Sequence, residues 1–209
     1  LVTDRTDITK GAAGASYLYR VNAGGSDYTD ADGQLWLGDR HLTDGARWGW
    51  KSWADDYPDL DPALGSRRVQ YDPVEGTSEQ GLFKTYRFGR DRLTYSFAAP
   101  KGVYEVELYF AEPWYGRTGI NATGWRLFDV AVNGKTALKD VDLYKEAGFE
   151  HVVKKVIKAT SVDGRIVISF PHVAAGQAVI SAIAIRKAGK GATYAADGTD
   201  LIDGKGAHN

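Results

Sequence analysis

The chain has no cysteine, which excludes disulfides, thiolate metal sites and thiol nucleophiles together and leaves packing alone to hold the fold. A domain of this size needs no covalent staple, so the absence fits a cytosolic protein and a bacterial exported one equally. Methionine is also missing and the first residue is Leu1, which we read as the mark of a fragment or processed form, with any targeting segment lost from view. No run approaches the ~20 consecutive apolar residues of a membrane-spanning helix, so no membrane partner is expected. Charge of one sign is lacking as well. Twenty-six basic residues against 27 acidic ones give a formal net charge of -1, without the electrostatic footprint of a phosphate-binding surface, and nucleic acid is not an expected partner.

What is present is an ordinary globular balance, 43% hydrophobic and 25% charged, over 209 residues, enough for one well-cored domain. The dominant period is two, the spacing of half-buried strands. Along 103–110, Tyr104, Val106, Leu108 and Phe110 share one face while Glu105 and Glu107 point the other way; 92–98 and 165–170 repeat the pattern. These segments read as strands with one wet face. Asn133-Gly134 and Asp163-Gly164 supply the positive φ angles of tight hairpin turns, and both read as hairpins. Further strands are expected at 17–22, 82–88, 128–132, 136–140, 151–159 and 181–187, with a single helical turn at 143–148. Short strands, regular turns and almost no helical pattern point to an all-β, antiparallel, jelly-roll-like β-sandwich with long loops.

Between Ala23 and Gly81 alternation is weak, and Gly, Pro, Asp and four of the six tryptophans accumulate, so long excursions over the sandwich are expected there. Residues 189–209 are rich in Gly, Ala and Asp and read as a linker or tail. The organisation is then an N-terminal extension at 1–16, one domain at 17–188 and a C-terminal linker at 189–209.

Aromatics are the most unusual component: 12 Tyr, 6 Trp and 7 Phe. Tyr95, Phe97, Phe110, Phe128 and Phe170 alternate with polar neighbours and need only core packing to explain them. Trp36, Trp48, Trp114, Tyr115 and Trp125 lie in loop-like stretches beside Gly, Asp or Arg, which suits sugar binding. A pyranose presents an apolar C–H face that stacks on an aromatic ring and a polar rim that hydrogen bonds to nearby side chains. Trp50 and Trp53 are assigned to loop packing. Trp114-Tyr115, held between Pro113 and Gly116 and followed by Arg117, is the best binding candidate.

Several motifs in order carry a family resemblance. Asn22-Ala23-Gly24-Gly25 with Tyr28-Thr29-Asp30, then Tyr109-Phe110-Ala111-Glu112, then Phe128-Asp129-Val130-Ala131-Val132-Asn133-Gly134, Lys139-Asp140-Val141-Asp142-Leu143 and Ser181-Ala182-Ile183-Ala184-Ile185 resemble the pattern of malectin domains across about 17–187. Glu112-Pro113-Trp114-Tyr115-Gly116 and Gly124-Trp125-Arg126-Leu127-Phe128-Asp129 resemble the malectin modules appended to bacterial family 2 glycoside hydrolases of β-galactosidase type. The resemblance implies a malectin- or galactose-binding-like sandwich acting as a family 57 carbohydrate-binding module, exported to the periplasm or the exterior. It also implies a glucose-containing glycan held by four aromatics and an aspartate in loops at one edge. Carried over by position, the aromatics fall at Trp36, Trp48, Trp114 and Tyr115. The aspartate's place falls near Gly176-Gln177, where Gln177 supplies a neutral amide, so a sugar other than malectin's own is the expectation.

Other chemistries find less support. No carboxylate pair stands out for glycoside hydrolysis, and His41, His151, His172 and His208 are scattered without metal spacing. Asp27, Asp30 and Asp32 before Gly33 faintly resemble a structural calcium loop but lack its twelve-residue pattern and closing glutamate; a turn cluster without cofactor is expected. Asn121-Ala122-Thr123 is a formal glycosylation acceptor with no expected meaning in a bacterial protein. The function expected is non-catalytic binding of an oligosaccharide or polysaccharide beside the neighbouring domains of a glycoside hydrolase. The rival is a ligand-free spacer sandwich of the same enzyme. Burial and dispersal of the four aromatics would favour the spacer, a shared open cleft the binding module.

Overall fold

A computed structural model describes residues 15–61 and 65–189 and the backbone of 199–202. The alternating pattern folds as strands. In chain order they begin with β1 (Tyr17–Asn22), β2 (Tyr28–Thr29), β3 (Leu35–Gly38), β4 (Trp48–Lys51) and β5 (Arg67–Val69), then β6 (Thr85–Gly89), β7 (Thr94–Ala98) and β8 (Gly102–Ala111). Next come β9 (Leu127–Val132), β10 (Lys135–Val141), β11 (Val152–Ser161) and β12 (Arg165–Ser169). The last are β13 (Val173–Ala175), β14 (Ala178–Ile180), β15 (Ala182–Lys187) and β16 (Thr199–Ile202). The expected helical turn is α1 (Leu143–Ala147). It starts because the Asp142 carboxylate accepts from the Lys145 amide at 3.0 Å, and it stops at Gly148, whose φ is 94°.

A seven-stranded sheet in the order β16-β11-β8-β15-β1-β3-β2 faces a second sheet, β10-β9-β12-β7-β4, to which β13 adds on β9. Within them only β1 and β3 run parallel among the described pairs. Between them lies one core: Val106, Leu108, Phe110, Ile157 and Ile183 from the first sheet meet Tyr95, Phe97, Phe128, Val130, Ile166 and Ile168 from the second. The molecule is therefore the β-sandwich that the alternation implies.

Several expectations need correction. Asn133 (φ 51°) and Gly134 (φ 76°) do form a two-residue hairpin between β9 and β10. Asp163-Gly164 does not, because β11 belongs to the seven-stranded sheet and β12 to its partner; the turn carries the chain across the sandwich. The second face of β8 is not wet. Glu105 and Glu107 are buried there, Glu107 accepting from the Tyr17 hydroxyl at 2.8 Å and pairing with Lys154 at 3.1 Å. The segment around Val74, Leu82 and Phe83 lies over this face and forms a second apolar cluster with Tyr109, Ala111 and Val152. Residues 80–83 are a 3-10 turn, so the strand expected at 82–88 starts at Thr85. The excursion from 23 to 81 contains four strands, β2 to β5, hidden by their brevity. From the 189–209 segment, read as a tail, β16 pairs with β11 at the sheet edge. The 1–16 extension lies outside the described residues except for its last two.

A third sheet, β14-β6-β5, positions the site. Its register sets Arg68 opposite Tyr86 and Val179 opposite Phe88, so these four share one face. Arg87 points the other way, into the molecule, and is buried. It pairs with Asp39 at 2.6 Å and lies 3.6 Å from the centroid of the Trp50 ring, which is completely buried. Asp39 also accepts from the Gly24 amide at 2.7 Å and from the Tyr95 hydroxyl at 3.1 Å. This buried hub joins β6, β7 and the Asn22-Ala23-Gly24-Gly25 turn. Trp50 is thus packing, as expected, whereas Trp53 is 37% exposed, edge-on to Tyr57, and pins little.

Candidate functional site

The open face of the third sheet is the floor of a cleft of about 740 Å³. Arg68, Tyr86, Phe88 and Val179 lie on it. One wall is the loop after β8, Pro113-Trp114-Tyr115, with Arg117, Arg126 and Gln177; the other is Val69-Gln70-Tyr71. Tyr71 is 88% exposed and also lines an adjoining 330 Å³ depression with Val74, Phe83 and Lys84.

Glu112 holds the wall in shape. Its carboxylate, with no exposed surface, accepts from the Trp114 amide at 3.1 Å and the Tyr115 amide at 3.0 Å. Arg126 grips the same carboxylate in a two-pronged pair, 2.6 Å and 2.9 Å, and donates a third hydrogen bond to the Gln177 carbonyl. Its guanidinium lies 4.9 Å from the Tyr115 ring centroid, and Trp125 meets the same ring edge-on at 5.9 Å. Gly116 and Gly176 have φ of 94° and 61°; a Cβ on Gly116 would fall 2.1 Å from the Tyr144 ring and one on Gly176 2.9 Å from the Trp125 carbonyl. The consequence is a rigid loop from which Trp114 projects, 65% exposed. An indole held in water by its own backbone anchors is an available apolar platform.

Of the five residues singled out in the sequence, the structure brings Trp114, Tyr115 and Gln177 together along this cleft. Trp36 and Trp48 are elsewhere. Trp36 sits on β3, 3% exposed, its indole N–H donating to Asp30 at 3.0 Å and its ring edge-on to Tyr109 in the second apolar cluster. Trp48 sits on β4, 4% exposed, stacked on Phe97 with centroids 5.9 Å apart and covered by Arg40. Both belong to short strands whose pairing turns the rings inward, so neither is a platform at the cleft. The sequence reading missed Tyr71, Tyr86, Phe88 and Arg68. Tyr86 and Phe88 alternate around Arg87, a signal of a two-sided strand, but without the third sheet that face had no destination.

Electrostatically the cleft is one-sided: its lining carries Arg67, Arg68, Arg117 and Arg126 and no carboxylate. Burial raises the Tyr86 phenol above its ordinary pKa, against the opposing pull of Arg126 and Arg68 on either side of it. At the rim, Gln70 donates to Glu150 at 2.6 Å, and burial together with Asp72 raises the Glu150 carboxyl. Among the described residues no cluster of three or more metal-ligating side chains occurs. Asp30 is engaged by the amides of Asp32 and Gln34 and by Trp36, and Asp27 by the Gly38 amide at 2.6 Å. No helix among these residues is long and apolar enough to cross a membrane.

The architecture is that of the class of β-sandwiches with an aromatic-lined cleft at the rim. Within that class, residues 17–193 match the malectin domain model, and the chain belongs to the malectin domain family. It is 27% identical to human malectin over 163 residues, 75% of this chain and 48% of that protein. Against Malectin-B of Xenopus laevis it is 26% identical over 71% of this chain and 47% of the relative, and against receptor-like protein 4 of Arabidopsis thaliana 34% over 51% and 17%. The chain thus spans about half or less of the length of these curated relatives. Among solved structures, β-glucuronidase of Bacteroides uniformis superposes with a TM-score of 0.65 at 25% identity, over 81% of this chain and 18% of the enzyme. The plant receptor-like kinase FER superposes at 0.56 with 17% identity, over 87% and 50%, a likeness of fold.

Proposed function

We propose that the chain is a non-catalytic carbohydrate-binding module, of family 57 type, from a multidomain bacterial glycoside hydrolase that is exported to the periplasm or the exterior. The saccharide lies in the cleft over the third sheet, its ring stacked on Trp114 and Tyr115 and its hydroxyls hydrogen bonded to Gln177 and neighbouring side chains. The observation that carries this reading is Trp114, a large apolar side chain that two backbone anchors on a buried carboxylate hold out in water. The likeness to a domain-sized part of a bacterial β-glucuronidase supports the accessory-module context. A glycan-array or affinity-gel screen repeated with Trp114→Ala and Tyr115→Ala tests it: binding is expected in the parent chain and loss in both variants without unfolding. Intact binding in both would move the site off the cleft.

A spacer role is the second reading, and the burial of Trp36 and Trp48 favours it, because only half of the carried-over aromatics reach the cleft. Tyr71, Tyr86 and Phe88 replace them there as aromatic surface, which is why binding remains the preferred reading. Failure of every glycan in the screen would leave the spacer.

A further inference from the structure

Four guanidinium groups line the cleft, and their partners divide them into two pairs. Arg126 is matched by the buried Glu112 carboxylate and Arg117 by Asp72 at the rim. Arg67 uses its Nε–H on the Gly24 carbonyl, and Arg68 lies over the Phe88 ring, 5.3 Å from its centroid; neither has a carboxylate partner among the described residues. Arg68 is exposed on the floor, directly across the strand pair from Tyr86. A neutral sugar needs no such excess of positive charge. A concave surface of one sign, walled by aromatic rings, concentrates and orients an anion.

We propose that the cleft selects an acidic saccharide, a uronic acid residue whose carboxylate pairs with the Arg68 guanidinium while its ring rests on the aromatic wall. This rests on the reading of the cleft as a sugar site and adds the class of sugar. The planar guanidinium matches a carboxylate through two parallel N–H donors, a geometry that a lysine does not reproduce. Arg67, whose register with Arg87 sends its side chain from the opposite face of the strand, adds positive charge at the edge of the cleft, while its Nε–H stays on the Gly24 carbonyl.

Calorimetric titration separates the two levels. The ligands are galacturonate and glucuronate oligomers, the same oligomers with their carboxyl groups reduced to neutral alcohols, and a sulfated neutral oligosaccharide. The parent chain is expected to bind at least one uronate oligomer about tenfold more tightly than its reduced form, the scale of one charge-assisted pair, and to weaken as salt is raised. Arg68→Gln brings the affinities for the acidic and reduced oligomers together, the acidic form losing far more than the reduced one, Arg68→Lys restores part of the preference, and Trp114→Ala weakens both forms. Thermal midpoints check that the variants are folded. Equal affinity for acidic and reduced forms, or an acid preference that survives Arg68→Gln, overturns the acidic-sugar proposal and leaves the cleft standing wherever Trp114→Ala still abolishes binding. Binding of the sulfated oligosaccharide alone overturns the carboxylate assignment. Binding unaffected by Trp114→Ala, or no binding of any ligand, removes both levels.

Discussion

Glu112→Gln probes how the platform is held. The substitution keeps the shape of the side chain but takes away the charge that compensates Arg126, which is only 6% exposed. Removing one partner of a buried ion pair costs about 3–5 kcal/mol, and because the amide oxygen still accepts from the Trp114 and Tyr115 backbone, the expected loss sits near ~3 kcal/mol. For a domain of this size that lowers the thermal midpoint by roughly 6–12 °C. The assay is thermal unfolding followed by circular dichroism, with glycan affinity measured below the transition. Affinity should fall too, since the amide group must turn one N–H toward donors that already point at it. Arg126→Met in the same background should recover much of the lost stability by removing the uncompensated charge, whereas additive losses are the expectation for independent sites. A midpoint within about 1 °C of the parent, with unchanged binding, would refute the anchoring role of this pair.

Other outcomes follow from the same packing. Trp114→Ala should leave the thermal midpoint almost unchanged, because the side chain is mostly exposed, while abolishing glycan retention on an affinity gel. Trp48→Ala should lower stability by about 3–5 kcal/mol in denaturant titration, through a cavity beside Phe97, yet leave the affinity of the folded fraction intact. Burial pushes the Glu107 carboxyl up, but Lys154 and the hydroxyls of Tyr109 and Tyr17 outweigh it and hold the group below its ordinary 4.5. Its contribution is therefore present above that value and lost as the pH falls through the lowered one, so stability should drop below about pH 4.5 and Glu107→Gln should flatten that acid limb in a series of melts.

The sandwich was legible because period-two alternation survives wherever a strand has one face in the core: 17–22, 103–110 and 165–170 all lie within or next to observed strands. The part that escaped reading was the region from 23 to 81. Its strands are two to four residues long, too short for alternation to register, and the inward orientation of Trp36 and Trp48 follows from strand pairing, Trp36 with nearby Tyr28 and Trp48 with distant Phe97. Sequence placed them in loops, and loops place aromatics outside; the ladder placed them inside. The site divided along the same line. Trp114-Tyr115, read from the sequence as a binding candidate, follows directly from the end of a long, well-patterned strand and lines the cleft, as does Gln177. Tyr86 and Phe88 share a face of β6 by alternation, but Arg68 and Val179 join them only once β5 and β14 pair with that strand. Local pattern does not encode that assembly.

Titrating the ¹⁵N-labelled chain with a bound oligosaccharide and following the indole N–H resonances of its six tryptophans tests the central claim most directly. The Trp114 resonance, with its neighbour Trp125, should shift and saturate with the ligand, while those of Trp36, Trp48 and Trp50, sealed in their clusters, stay in place. Saturable shifts at the buried three or at Trp53, with Trp114 unmoved, would contradict a sugar platform in this cleft.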